Sequence, residues 1–234
     1  MSNKNKNNTR KNKKYNNNTN PGNNEAKQMK ELYPNLELSF SEAQEWLIKH
    51  LDSSAFKKRE NASNTISSIP IIQKIVKEGM ITQNSQEGTI SKGVNKFNNT
   101  FYKEKQRAYL SGFLLHKDSF KFVDWINTYT DKVAFVTAII PDDIDHFIRR
   151  TTTPIAVTVG TSSKTKLPEN PTNYTIDSII PQSFDEETFH SIKRSSNIKD
   201  DVHVDFVNIF DPKYGRLASS KDGLYADVLK GLKH

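Results

Sequence analysis

The chain contains no cysteine, which excludes disulfides, thiolate zinc sites and cysteine nucleophiles together. Any metal would have to be held by His and carboxylates. A long apolar run is also missing. The longest, VAFVTAII from Val133 to Ile140, falls far short of the roughly 20 residues that span a bilayer. The first residues are polar and basic without an apolar core, so the expectation is an intracellular protein with no secretory signal and no membrane partner. Nor does the body of the chain carry much spare positive charge. Of 34 Lys and Arg, six (Lys4, Lys6, Arg10, Lys11, Lys13 and Lys14) lie in residues 1–24, where no acid occurs, and the other 28 face 27 Asp and Glu. The net +7 is thus +6 of arm and +1 of body. Global charge therefore gives no argument that a folded face binds DNA.

Residues 1–24 hold eleven Asn, with Met1 and Tyr15 as the only sizeable apolar groups. Such a segment buries too little surface to offset the entropy of ordering and is expected to be a disordered arm. Either it contacts nucleic acid non-specifically through its Lys and Arg, or its composition is drift toward Asn and Lys codons.

From Leu36 the pattern becomes that of folded sequence. Ser39 and Glu42 form a capping box ahead of Phe40, Ala43, Trp46, Leu47 and Leu51, whose three-and-four spacing predicts an amphipathic helix. Ser53 to Thr65 reads as a loop. A second helix is expected from Ser68, with Pro70 in its first turn and Gly79 as its stop. Met80 to Thr82 looks extended, and Gly88 to Thr100, rich in Gly, Asn, Ser and Lys, looks like a mobile loop. After Tyr102, Arg107 to Leu115 can be strand or helix. Asp118 opens a helix bearing Phe122, Val123, Ile126 and Tyr129; Val133 to Ile140 reads as a strand covered on both faces. A short helix at Pro141 to Arg150, strands at Pro154 to Gly160 and Tyr174 to Ile180, a capping box at Ser183 and Glu186, a strand at Val202 to Phe210 and a helix from Leu224 to Leu232 complete the series. Alternating elements predict an α/β fold, a mixed sheet layered with helices. The expected divisions are the arm at 1–24, a helical N-terminal portion at 36–101 and an α/β domain at 102–234. Trp46 and Trp125 are expected in the core.

Two segments carry the most specific signal: GMITQNSQEG at Gly79–Gly88 and QRAYLSGF at Gln106–Phe113. Together they supply hydroxyls, amides and one fixed cation. Thr82, Ser85, Gln86 and Gln106 with Arg107 could line one site for a small anionic ligand, Arg offering a planar fork for carboxylate or phosphate. Alternatively, Gln86 and Arg107 tie a turn to a neighbouring strand through hydrogen bonds. The pair resembles an uncharacterised protein family of large DNA viruses and actinobacteria. In that family a Gly, aromatic-or-Met, Ile-or-Leu, Thr segment runs into Asp-or-Asn, Ser, Gln and a second Gly, and a Gln-Arg segment ending in Gly-Phe or Gly-Leu follows some twenty residues on. Thr82, Asn84, Ser85, Gln86 and Gly88 match the first part, and Gln106, Arg107, Gly112 and Phe113 the second. The family often has Asp and Pro where this chain has Asn84 and Glu87. The resemblance implies kinship with viral or actinobacterial proteins, with host cytoplasm or virion as the setting if viral, and names no activity or cofactor.

Other constellations are read beside simpler explanations. Asp201, His203 and Asp205 alternate with apolar residues, so in a strand they would share a face, either as a cation or acid/base set or as the solvent side of an amphipathic strand. The acids at Asp142, Asp143 and Asp145 suit the first turn of a helix. VGTSSKTK after Pro154 lacks the spacing of a phosphate loop. Ser85 lacks the surroundings of a nucleophile elbow. Finally, the segment from Ile69 to Thr82 is compatible with a small winged helix whose exposed face would offer Gln73, Lys74 and Lys77 to nucleic acid.

Overall fold

A computed structural model describes residues 36–59, 63–127, 133–137, 155–180 and 186–234. Thirteen elements run in the order α1 (Phe40–Asp52), α2 (Ser54–Arg59), α3 (Ser63–Lys77), β1 (Ile81–Gln86), β2 (Thr89–Asn95), β3 (Thr100–Leu115), α4 (His116–Asn127), β4 (Val133–Thr137), β5 (Ile155–Ser163), β6 (Thr175–Ile180), α5 (Glu186–Ser195), β7 (Val204–Tyr214) and α6 (Leu224–Leu232). The fold is α/β, a seven-stranded sheet with helices. None of the described helices is long and apolar enough to cross a membrane. The arm at 1–24, the helix expected at 141–150 and the cap at Ser183 lie outside the described residues.

β3 organises the sheet. Its 16 residues are long enough to take two partners in succession on each side. Along one side lie β1, pairing from Ile81 opposite Phe113 to Gln86 opposite Tyr109, and then β2, from Thr89 opposite Gln106 to Asn95 opposite Thr100. Along the other lie β7, against Arg107–Leu115, and β5, against Phe101–Gln106. β4 extends the sheet beyond β7, and β6 extends it beyond β5. Every strand pairing is antiparallel, so the parallel pairs of the expected mixed sheet are absent among the described strands.

Three corrections follow from the pairing of β1 and β2 with β3. The Gly, Asn and Lys composition of 88–100 belongs to β2 and its turn rather than to a mobile loop, because backbone pairing with β3 overrides weak strand propensity. The expected boundary at 101/102 does not exist either. β1 and β2 are neighbours of β3 in one sheet, and the described residues all belong to a single unit. The same register removes the winged helix, since β1 and β2 lie end to end along β3 and do not pair with each other.

Helices cover both faces. On one, Ala108, Leu110 and Leu114 of β3 with Val207 and Ile209 of β7 meet Ile69, Ile72, Ile75 and Val76 of α3, Phe122 and Ile126 of α4, and Leu224 and Val228 of α6. On the other, Ile81, Phe113 and Phe206 meet Phe40 and Ala43 of α1 and Phe189 of α5. Trp125 packs at the edge of the first cluster, while Trp46 stacks on His50 with ring centroids 4.7 Å apart.

The capping reading at Ser39 is realised: its backbone N–H donates to Glu42 Oε2 at 2.9 Å. Gly79, at φ 114°, ends α3 in the left-handed region as the sequence predicts. However, α3 begins at Ser63 rather than Ser68 and places Pro70 inside the helix, and α2 occupies part of the expected loop. Burial of Ile69, Ile72, Ile75 and Val76 holds the α3 turn that Pro70 weakens by lacking an N–H.

Candidate functional site

The two motif segments are the two arms of one hairpin, and a bulge decides which of their side chains share a face. Thr82 lies opposite Gly112, but Asn84 lies opposite Ser111, so Gln83 is the extra residue. Directly opposed residues in an antiparallel pair project to the same face, and alternate residues return to it. Asn84 and Gln86 therefore stand with Ser111 and Tyr109, whereas Thr82 and Ser85 stand on the reverse with Leu110. Across β3, Ser111 is opposite Asn208, and Tyr109 is opposite Phe210.

The result is two rows beside the apolar cluster of Phe113 and Phe206: Asn84, Ser111 and Asn208, then Gln86, Tyr109 and Phe210. Ser111 and Asn208 form a buried floor, Asn208 being 2% exposed. Gln86 and Tyr109 are half-buried and Asn84 is exposed, so the rim is open to solvent. The Ser111 hydroxyl reaches the Asn84 carbonyl at 3.4 Å. Burial pushes the Tyr109 hydroxyl above the usual phenol range, and a hydrogen bond with Asn84 partly opposes this. Among the described residues, nothing pairs with Asn208 Nδ2. A buried amide donor without an acceptor costs about 1–3 kcal/mol; buried Asn197 Nδ2 is in the same position, but it lies away from the motif strands.

Arg107 sits where β3 exchanges β7 for β5. Its Nε donates to the Ala156 carbonyl at 3.0 Å, and Nη1 donates to the carbonyls of Asp211, at 3.2 Å, and Pro212. The guanidinium also lies 4.1 Å from the centre of the Tyr214 ring. These contacts tie β5 and β7 together at the fork and satisfy carbonyls that the change of partner leaves outside the ladder. Gln106 likewise works within the sheet, accepting at 3.0 Å from Thr89 Oγ1.

The five residues expected to line one site thus divide. Gln86 lies on the candidate face, Arg107 is engaged at the fork, and Thr82, Ser85 and Gln106 belong to the other face. Ser85 bonds to Tyr225, whose hydroxyl is held far above the usual phenol range by burial and the nearby Glu87 charge, with the Ser85 bond opposing.

The motif glycines and Glu87 act through the backbone. A Cβ on Gly88 would lie 2.3 Å from the Arg216 carbonyl oxygen, and one on Gly112 would lie 2.4 Å from that of Ile81. Both therefore permit close main-chain approach. Buried Glu87 accepts from Ser68 Oγ at 2.7 Å and from the Ser219 N–H at 3.1 Å, joining α3 to the loop before α6.

The Asp201, His203 and Asp205 set is not assembled. Asp201 and His203 precede β7 and are exposed, whereas Asp205 is buried on a central strand covered on both sides. It accepts from His116 Nδ1 at 3.0 Å and from Ser119 Oγ. The hydroxyl meets the carboxylate rather than the imidazole, so the three groups lack the order of a nucleophilic triad. No cluster of three metal-ligating side chains occurs among the described residues. Lys193, also missed by sequence reasoning, is 3% exposed and donates to the carbonyls of Asp200 and Val202 at 2.8 and 2.7 Å. Burial lowers its pKa.

No protein-family model matches this chain, and no curated protein matches it.

Proposed function

We propose that the chain binds a small polar ligand on the face formed by Asn84, Gln86, Tyr109, Ser111 and Asn208. The buried, unpartnered Nδ2 of Asn208 supports this reading most strongly. That donor calls for an acceptor, and an oxygen of a carboxylate, phosphate or amide supplies one. Tyr109 and Gln86 at the rim add donors of adjustable geometry. An anionic ligand is favoured through these hydrogen bonds and through the positive potential of Arg107 nearby, whose own donors remain with the sheet. An intracellular setting and kinship with the family of large DNA viruses and actinobacteria complete the proposal, supported by Asn84 and Gln86, the two residues of this face that match the motif. Turnover is not part of it.

A thermal-shift screen of the full chain against inorganic phosphate, acetate, nucleoside monophosphates and sugar phosphates tests the reading. Stabilisation by at least one probe, abolished in Asn208→Leu, is expected. No shift with any probe would reject the site.

A further inference from the structure

The other half of the sheet presents a different surface. In the part of β3 from Phe101 to Gln106, Lys105 lies opposite Ile90 and Val159, Lys103 opposite Lys92 and Thr161, and Phe101 opposite Val94 and Ser163. Val159 in turn lies opposite Ile176. By alternation these rows share one face. Ile90, Val94 and Ile176 are 56%, 49% and 63% exposed, and Phe97, in the turn joining β2 to β3, is fully exposed. Of the eight large exposed hydrophobics among the described residues, these four lie on β2, the turn that follows it or β6. The clustering makes a patch rather than the usual scatter.

The lysines on it have no acidic partner among the described residues. Among the described residues, no carboxylate forms an ion pair with Lys92, Lys103 or Lys105. Lys103 donates to the Glu169 carbonyl, and Lys105 Nζ lies 4.4 Å from the centre of the Tyr174 ring. Lys92 and Lys103 stand directly opposite each other, an arrangement that is repulsive until a negative charge joins it.

We propose that this face of β2, β3, β5 and β6 binds single-stranded nucleic acid. The occupant must bring negative charge to the middle of the face and apolar surface to Ile90, Val94, Ile176 and Phe97 at the same time. A single strand does both, because phosphates and base faces alternate along it. A duplex offers the sheet only its phosphates. The whole-chain charge balance hides this feature, because a net charge does not show that Lys92, Lys103 and Lys105 are gathered on one face.

Fluorescence anisotropy with a labelled oligothymidylate and its RNA counterpart tests the proposal in the full-length chain. The control changes Lys4, Lys6, Arg10, Lys11, Lys13 and Lys14 all to Gln, so that the arm no longer contributes. In that background, binding should persist and weaken with salt. Lys92→Ala, Lys103→Ala and Lys105→Ala combined should lower the magnitude of the logarithmic salt slope by about 2, since each phosphate contact on a single strand contributes about 0.7. Should the triple change disturb folding, Lys92→Glu serves instead: it is exposed, relieves the repulsion with Lys103, and should weaken binding about tenfold or more while leaving the melting temperature unchanged or higher. Loss of all binding with the neutral arm would overturn the proposal. So would unchanged affinity in Lys92→Glu, or binding to phosphatidylserine vesicles without binding to either oligonucleotide.

Discussion

Ser111 lies directly opposite Asn208, and the two form a buried polar floor on a strand pair that is otherwise apolar at that level. The Asn208 Nδ2 has no partner there among the described residues, so its presence is a cost to the unliganded fold. Asn208→Leu, with the same branching and number of side-chain heavy atoms, should leave stability unchanged or raise it by about 1 kcal/mol, since it removes a donor that is already unsatisfied. Urea unfolding measures this, and a loss above about 2 kcal/mol would mean that the amide is satisfied in solution.

Arg107 behaves oppositely. Replacing it by Leu removes hydrogen bonds to three carbonyls and the contact with the Tyr214 ring. A loss of at least roughly 2–3 kcal/mol is expected, because a single bond from a charged donor is worth about 1.5–3 kcal/mol and the three bonds share one guanidinium. Arg107→Lys should recover only part of it, since an ammonium cannot reach separate carbonyls as a planar fork does. Equal stability of Arg107→Leu and wild type would show that the fork is held by the strands alone.

Gly88→Ala and Gly112→Ala place a methyl group against backbone oxygens, where no side-chain adjustment makes room. Each should cost more than about 2 kcal/mol, or else Gly112→Ala should displace β1 from β3 and Gly88→Ala should displace the main chain at Arg216. In Gly112→Ala, hydrogen exchange should then speed up in Ile81–Gln86 before it does in β7. Unaltered stability and exchange in Gly112→Ala would contradict the close approach.

Alkaline pH should destabilise the fold through Tyr225 and Tyr109. Both hydroxyls are held above the ordinary phenol value, mainly by burial. In the unfolded chain they ionise near pH 10. Above that point the unfolded state releases protons that the folded state retains, so stability falls as pH rises from about 10 and is unaffected by these groups below it. Tyr225→Phe should flatten the decline between pH 9 and 11, at the expense of one hydrogen bond with Ser85. A decline of the same steepness in wild type and variant would assign alkaline unfolding to other groups.

Local signals in the sequence were sufficient for several elements: the Ser39–Glu42 cap, the Gly79 stop, the extended Val133 segment and the final amphipathic helix all follow from nearest neighbours along the chain. Pairing partners were not legible. The 88–100 segment has loop-like composition and becomes a strand because β3 is beside it. A bulge at Gln83 reverses the alternation of β1, which separates Thr82 from Asn84 and dissolves the five-residue set expected around Arg107. Asp205 shows the same limit: alternation predicted a solvent face, but β7 is flanked by β3 and β4 and covered on both sides. Asn208 had no signal at all, since an Asn within an apolar strand gains meaning only when its neighbours are known.

The most direct measurement follows the side-chain amide resonances of Asn84, Gln86 and Asn208 in the nitrogen-15-labelled chain during titration with inorganic phosphate, acetate and nucleoside monophosphates. Saturable shifts of the Asn208 amide are expected with at least one of these probes, with Asn84 and Gln86 moving at the same midpoint and the Arg107 guanidinium signal unchanged. Shifts confined to Arg107, or an Asn208 amide that responds to none of the probes, would contradict the proposed site.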